Sequence, residues 1–165
     1  MKAIVVSDKT EPGLNKRLGE WAAKEIWGDG GRGFEKFCTM AVTDNDRLVA
    51  VAVYHNYDPD CGVVEISSAS ISKLWLTRPI LKTMFETAYI GLGCQTVVIR
   101  VSPSDKPMQR MLKSYGFTCT IIPRLRGRHE DDMIFTLTDD AWRTNKFNMK
   151  VYHSGKSFTP ISSAA

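Results

Sequence analysis

A six-residue run, Thr96-Val-Val-Ile-Arg-Val101, stands between two stretches of helical spacing, each with a proline in its first turn. The run is rich in β-branched side chains and too short for a helix, so it predicts a central strand. Ahead of it, Ile80, Leu81, Met84, Phe85, Ala88 and Tyr89 fall on one face of a helix. Thr77 is its N-cap candidate and Pro79 sits where a missing N–H costs nothing. Gly91 and Gly93 stop it. After the strand, Asp105 caps a second helix over Lys106 to Tyr115, with Met108, Met111, Leu112 and Tyr115 on its apolar face and Gly116-Phe117 at its end. Helix, strand and helix form one tightly punctuated unit from Lys73 to Phe117.

The remaining chain supplies more strands. Ala3 to Val6 reads as a first strand, and Pro12-Gly13 opens a helix that ends at Gly28. Gly28-Asp-Gly-Gly-Arg-Gly33 matches the letters G-x-G-x-x-G. A dinucleotide fingerprint follows a strand and opens a helix; this run follows a helix, so it predicts a loop, with glycines that allow movement over a ligand. Phe37 to Thr43 and Leu48 to Tyr54 read as a hairpin. Asn56 to Gly62 reads as a turn, and Val63 to Ile71 as a strand whose second half is small and polar. Thr118 to Ile122 reads as strand, Pro123 to His129 as a basic loop, Glu130-Asp-Asp132 as an acidic turn and Met133 to Thr138 as a final strand. Asp139 to Phe147 reads as a short helix holding Trp142. The expected fold class is α/β (α+β): one domain over residues 1–147, a mixed and mostly antiparallel sheet flanked by helices, with a poorly ordered tail over 148–165.

Size and charge narrow the functions. The chain has 165 residues and a net charge of +4, which permits an anionic ligand without demanding nucleic acid. No apolar run reaches the roughly 18 residues of a membrane span, and the first residues do not read as a signal peptide. Cys38, Cys61, Cys94 and Cys119 are scattered, so reduced thiols in a cytoplasmic protein are expected, and no metal site. A Ser-His-Asp hydrolase is disfavoured, since no G-x-S-x-G elbow occurs.

Val97-Val-Ile-Arg-Val101, Asp105 and Gly116-Phe117, at matching spacings, resemble the second half of the GNAT acyltransferase core. Asp132 before the last strand and Trp142 after it are similar to the ribosomal-protein N-acetyltransferase branch. Trp75-Leu-Thr-Arg78, Phe85, Gly93-Cys94 and Asp131-Asp132 resemble GNAT-type proteins of tailed bacteriophages. The resemblance covers about residues 63 to 143 and implies acetyl-coenzyme A as donor and an amine as acceptor. It also implies that the fourth strand splays from the fifth, leaving a gap for the pantetheine arm beside Ser67, Ser68, Ala69 and Ser70.

The resemblance places the pyrophosphate at the next helix start, around Ile71, Ser72, Lys73, Trp75, Leu76, Thr77 and Arg78. The chain departs from the family there, because no glycine lies between Lys73 and Ile80. Lys73 and Arg78 are expected to offset this through side-chain contacts. Asp105 stands where the family often has an Asn that contacts the pantetheine; a plain helix cap is the other reading. Leu112 occupies the usual place of a tyrosine general acid, which leaves Tyr115 as the catalytic tyrosine candidate. Glu65 is the only acidic residue of its strand and the candidate base. The oxyanion donor is expected at a backbone N–H near Ile71, with Ser70 or Ser72 assisting. His129, among Arg124, Arg126 and Arg128, reads as surface.

The expected function is an N-acetyltransferase acting on a protein N-terminus, a lysine or a small amine. The alternative is an inactive GNAT-fold binding or virion protein of a phage. Expected partners are acetyl-coenzyme A, an amine acceptor or a host or virion protein, and a second copy of the chain as a homodimer. Neither membrane nor nucleic acid is expected. The setting is the cytoplasm, the host's if the chain is phage-encoded, or the virion.

Overall fold

The computed structural model describes residues 1–149; residues 150–165, most of the expected tail, lie outside the described residues. Strands β1 (Lys2–Val6), β2 (Cys38–Asp44), β3 (Arg47–Asp58), β4 (Val63–Ser70), β5 (Thr96–Val101), β6 (Thr118–Gly127) and β7 (Glu130–Thr138) form one sheet. Its order is β1-β2-β3-β4-β5-β7-β6. All neighbours run antiparallel except β4 and β5, which run parallel. Helix α1 (Pro12–Trp27) covers one face. Helices α2 (Arg78–Glu86) and α3 (Lys106–Tyr115) cover the other, and α4 (Asp139–Thr144) and α5 (Lys146–Met149) follow β7 on that side.

The period of two along β3 and β4 divides the core. Val51, Val53 and Ala69 pack with Leu18 and Ala22 under α1, while Ala52, Tyr54, Val64 and Ile66 pack with α2 and α3. Phe85 is almost wholly buried in the second layer, worth about 2–3 kcal/mol. Two phenols fasten α2 and the turn that follows it to the sheet: Tyr54 donates to the Met84 carbonyl at 2.9 Å and Tyr89 to the Leu137 carbonyl at 2.8 Å. Burial holds both phenols well above the ordinary range. On the opposite face the buried Asn15 ties α1 to the sheet, donating to Asp8 at 2.8 Å and to the Phe37 carbonyl at 3.0 Å, and accepting from Thr39 at 2.9 Å.

Several boundaries differ from expectation. The strand expected to end at Tyr54 runs on to Asp58, because pairing with β4 continues through His55↔Glu65 and Asp58↔Val63. The basic loop and acidic turn over 123–132 are mostly strand: β6 and β7 pair from Thr118 to Gly127, with a register shift between Ile122 and Gly127 that absorbs Pro123 and a left-handed Arg124 (φ 60°). Helix α2 closes in a π-helical turn over Thr87–Gly91, where Leu92 N–H reaches the Thr87 carbonyl. The last helix breaks at Asn145, which is extended (φ −70°, ψ 152°), so the expected domain end at 147 falls inside α5.

Candidate active site

β4 and β5 pair at three registers only, Val63↔Thr96, Val64↔Val97 and Glu65↔Val98. Beyond Glu65 the two strands part. The closed end is pinned by Gly62, whose carbonyl accepts from Gln95 N–H at 2.7 Å and Thr96 N–H at 3.1 Å. Ile71 N–H bonds the Val49 carbonyl at 3.0 Å, so by strand alternation the odd residues of β4 turn their backbone groups toward β3. The even residues turn toward β5, and beyond the last pair the amides of Ser68 and Ser70 face the gap. Near Ile71, where the donor is expected, the Ile71 amide itself is bonded to Val49, and the nearest gap-facing amide is that of Ser70.

The two mouths of the gap differ in chemistry. On the α1 face, Glu65 and Ser67 share a side with His55 of β3 and Arg100 of β5, lining a cavity of about 390 Å³. His55 Nε2 lies 2.8 Å from Ser67 Oγ and 3.9 Å from Glu65 Oε1, while Asn56 Nδ2 donates to Glu65 Oε2 at 2.9 Å. Burial holds His55 below its ordinary value of 6.5; Glu65 opposes that shift and Arg100 reinforces it. His55 is thus a neutral imidazole able to accept a proton near pH 7. The loop after α1 covers it: the Phe34 ring lies 4.8 Å from His55 and 4.9 Å from Trp27, and Arg32 lies 4.3 Å over Trp27. The glycine run therefore forms a wall of the polar pocket.

Behind this pocket Asp132 is fully buried and collects two guanidinium groups. Arg100 Nη2 and Nε reach its Oδ2 at 2.6 and 2.7 Å, and Arg126 Nε lies 3.4 Å from its Oδ1.

On the α2/α3 face the mouth is apolar and narrow. Ile66, Trp75, Leu76, Met108 and Met111 line a slot of about 40 Å³. Trp75 is 5% exposed and forms part of the slot's lining. Tyr115 belongs to this face, stacked 4.9 Å from Phe85 and tilted 5.1 Å from Phe147, with its phenol raised by burial. The structure does not bring it to Glu65, because the sheet lies between them.

The remaining expected residues lie around the start of α2. Thr77 is the N-cap, but its side chain makes no capping bond. Pro79 carries no N–H, so Arg78 and Ile80 present the free amides of the first turn, unpartnered among the described residues. Arg78 places its guanidinium 5.7 Å over the Phe147 ring, in a groove of about 240 Å³ with Lys82 and Tyr115. Lys73 and the Ile71 side chain are exposed, and Ser72 is engaged with Ser70, whose Oγ accepts from the Ser72 N–H at 2.9 Å. Asp105 caps α3, accepting from Met108 N–H at 3.1 Å.

The groups at the two ends of the gap are of the kind that could hold an acyl-coenzyme A thioester. The unpaired edge of β4 offers amides and carbonyls to an amide-bearing arm, and the uncapped start of α2 offers two N–H donors and nearby cations to a pyrophosphate. Between them lies the apolar slot of about 40 Å³, lined by Trp75, Met108 and Met111.

His55 is the residue that sequence reading missed. Its signal was the alternation Val51, Val53, His55, which continues β3 and sets the imidazole opposite Glu65.

No protein-family model matches the sequence, and no curated protein matches it. Solved structures do match its shape. A mutant of the spermidine N-acetyltransferase SpeG from Vibrio cholerae aligns with a TM-score of 0.62 at 9% identity, over 87% of this chain and 98% of that one. A putative acetyltransferase from T. thermophilus gives 0.58 at 14% identity, over 75% and 66%. A GCN5-related N-acetyltransferase from Brucella melitensis gives 0.57 at 17% identity, over 76% and 61%. The chain thus spans less than two thirds of the length of the last two. At such identities the likeness establishes the fold, which is the GNAT fold, a mixed sheet parted between its fourth and fifth strands.

Proposed function

We propose that this GNAT-fold chain is an N-acetyltransferase that moves an acetyl group from acetyl-coenzyme A to an amine. The observation that carries the reading is the parted β4–β5 pair with a ready-made His55–Glu65–Ser67 cluster at its polar mouth. The donor supplies a thioester carbonyl and a thiolate leaving group. The chain's own part is to bind and deprotonate the amine. Glu65, held by Asn56, attracts the ammonium form; His55 takes its proton; Ser67 orients the imidazole. The amides of Ser68 and Ser70 point into the gap and meet the negative charge that develops there. No role in proton transfer is assigned to Tyr115, which lies on the other face.

Calorimetric titration with acetyl-coenzyme A, beside coenzyme A and acetate, tests the first half. Micromolar binding, about 8 kcal/mol, is expected, and it should weaken in Arg78→Glu. Release of free thiol in the presence of amines tests the second half. Absence of binding at millimolar donor overturns the proposal.

A second reading rests on Trp75, buried in the slot. It makes the chain a binding or virion component that keeps the fold with the donor path closed. The Trp75-Leu-Thr-Arg78 run, which resembles phage-encoded relatives, favours a host cytoplasm or a virion as its setting. Failed donor binding together with recovery of the chain in virions would establish that reading.

A further inference from the structure

The polar pocket has two electrical poles. At one end Glu65, fixed by Asn56, stands beside neutral His55. At the other, Arg100 and Arg126 share the single buried carboxylate of Asp132. Arg32, which lies over Trp27, and Glu35 also line the pocket and bring one charge of each sign. Glu130 lies 3.9 Å from Arg126 and is half exposed, so its charge is screened by water.

The arginines are not used up by Asp132. A guanidinium has five N–H donors. Arg100 directs Nε and Nη2 at Asp132, with Nη2 also 3.5 Å from the Leu125 carbonyl, and Nη1 has no partner among the described residues. Arg126 turns Nε toward Asp132, and neither of its terminal nitrogens makes a hydrogen bond among the described residues. Asp132 thus works as a clamp that orients two cationic forks toward the cavity.

The spacing suits a small molecule. Glu65 stands opposite Val98, and Arg100 lies two residues further on the same face of β5. Strand spacing and rise put the two Cα atoms at least about 8 Å apart, less than the combined reach of the two side chains around a small ligand. The cavity holds about 390 Å³ and is walled by Phe34 and Leu125.

Resting on the transferase reading, we propose that the acceptor is a small zwitterion of amino-acid type. Its amine sits at Glu65 and His55, and its carboxylate is held by Arg100 and Arg126. A linear polyamine has no group for the arginine pole and is repelled by it.

The test pairs a binding arm with a turnover arm. In the first, ligand-observed NMR without donor compares amino acids with their amides and with spermidine. Binding of the acids that falls about tenfold in the amides is expected, as loss of a charge-assisted pair implies. In the second, thiol release with acetyl-coenzyme A should show the same order through KM, and Arg126→Gln should narrow the preference for acid over amide. That variant keeps Arg100 on Asp132, so the buried carboxylate stays paired. Acid binding without turnover upholds the pocket assignment and sinks the transferase reading. Turnover of spermidine or amides as readily as of acids sinks the assignment and keeps the transferase. Absence of zwitterion binding overturns the assignment outright.

Discussion

Ser67 Oγ lies 2.8 Å from His55 Nε2, across two paired strands and at the point where the sheet opens. The pair is held by backbone register, so it does not depend on a mobile loop. Replacing His55 by Gln should lower kcat about 100-fold, the usual worth of a positioned base. Ser67→Ala should cost less, about tenfold, because it removes orientation and leaves the base. Stopped-assay thiol release with melting curves as a control checks both; unchanged kcat in His55→Gln would remove the imidazole from the mechanism.

The pH dependence follows from the depressed imidazole. His55 has a folded value below its ordinary 6.5, with burial as the largest cause. The folded protein then binds fewer protons than the unfolded chain, so this stability is present above 6.5 and is lost as pH falls through the folded value. Both kcat and urea stability should therefore decline on the acid side, below the ordinary histidine range. In His55→Gln the stability decline should flatten. A titration of the His55 ring signals by NMR gives the midpoint directly.

Asp132 is wholly buried and neutralises parts of two guanidinium groups. Its replacement by Ala should cost about 2 kcal/mol. That is below the full penalty for a broken buried pair, because Arg100 and Arg126 are each about a third exposed and gain water. Asp132→Asn keeps acceptor capacity and should cost less. Urea midpoints of the two variants decide the order.

Gly62 carries φ +64° and its Cβ, if present, would lie 3.2 Å from Gln95 Cγ. Alanine there meets both a left-handed backbone and a crowded neighbour, so Gly62→Ala should lose about 1–2 kcal/mol. The same change loosens the closed end of the gap, where Gln95 and Thr96 bond the Gly62 carbonyl. Faster amide exchange at Thr96, against an unchanged α1, is the expected signature.

The cysteines should separate by reactivity. Cys61 is exposed, whereas Cys94 is buried and the half-buried Cys38 has its thiol raised to about 11 by burial and Asp8. A thiol-specific reagent at pH 8 should label Cys61 first, even though its bond to Asp58 raises it too. Mass mapping of the modified peptide identifies the site.

Much of the fold could be read from local pattern. The two helices around Thr96–Val101 declared themselves through apolar spacing, prolines at the first turn and Gly116 at a left-handed C-cap (φ 111°). Glu65 stood out as the only acidic residue of its strand. What escaped was set by pairing between distant strands. His55 sat in a polar stretch ending in Pro59 and Gly62, and only its register opposite Glu65 makes it strand and site. The arginines of 123–128 looked like a surface loop, because nothing local reveals that Asp132 would be buried and gather Arg126. Trp75 read as part of the stretch around the pyrophosphate, and packing makes it a wall of the apolar slot.

The short β4–β5 pairing makes the sheet a hinged diptych. Strands β1 to β4 form one leaf and β5 to β7 the other, joined along a spine of three residue pairs and bolted at Gly62. Each leaf is internally antiparallel and stiff, so strain applied across the molecule concentrates in that spine. A crosslink between the far ends of β4 and β5 would freeze the opening angle, and one between β2 and β3 would leave it free.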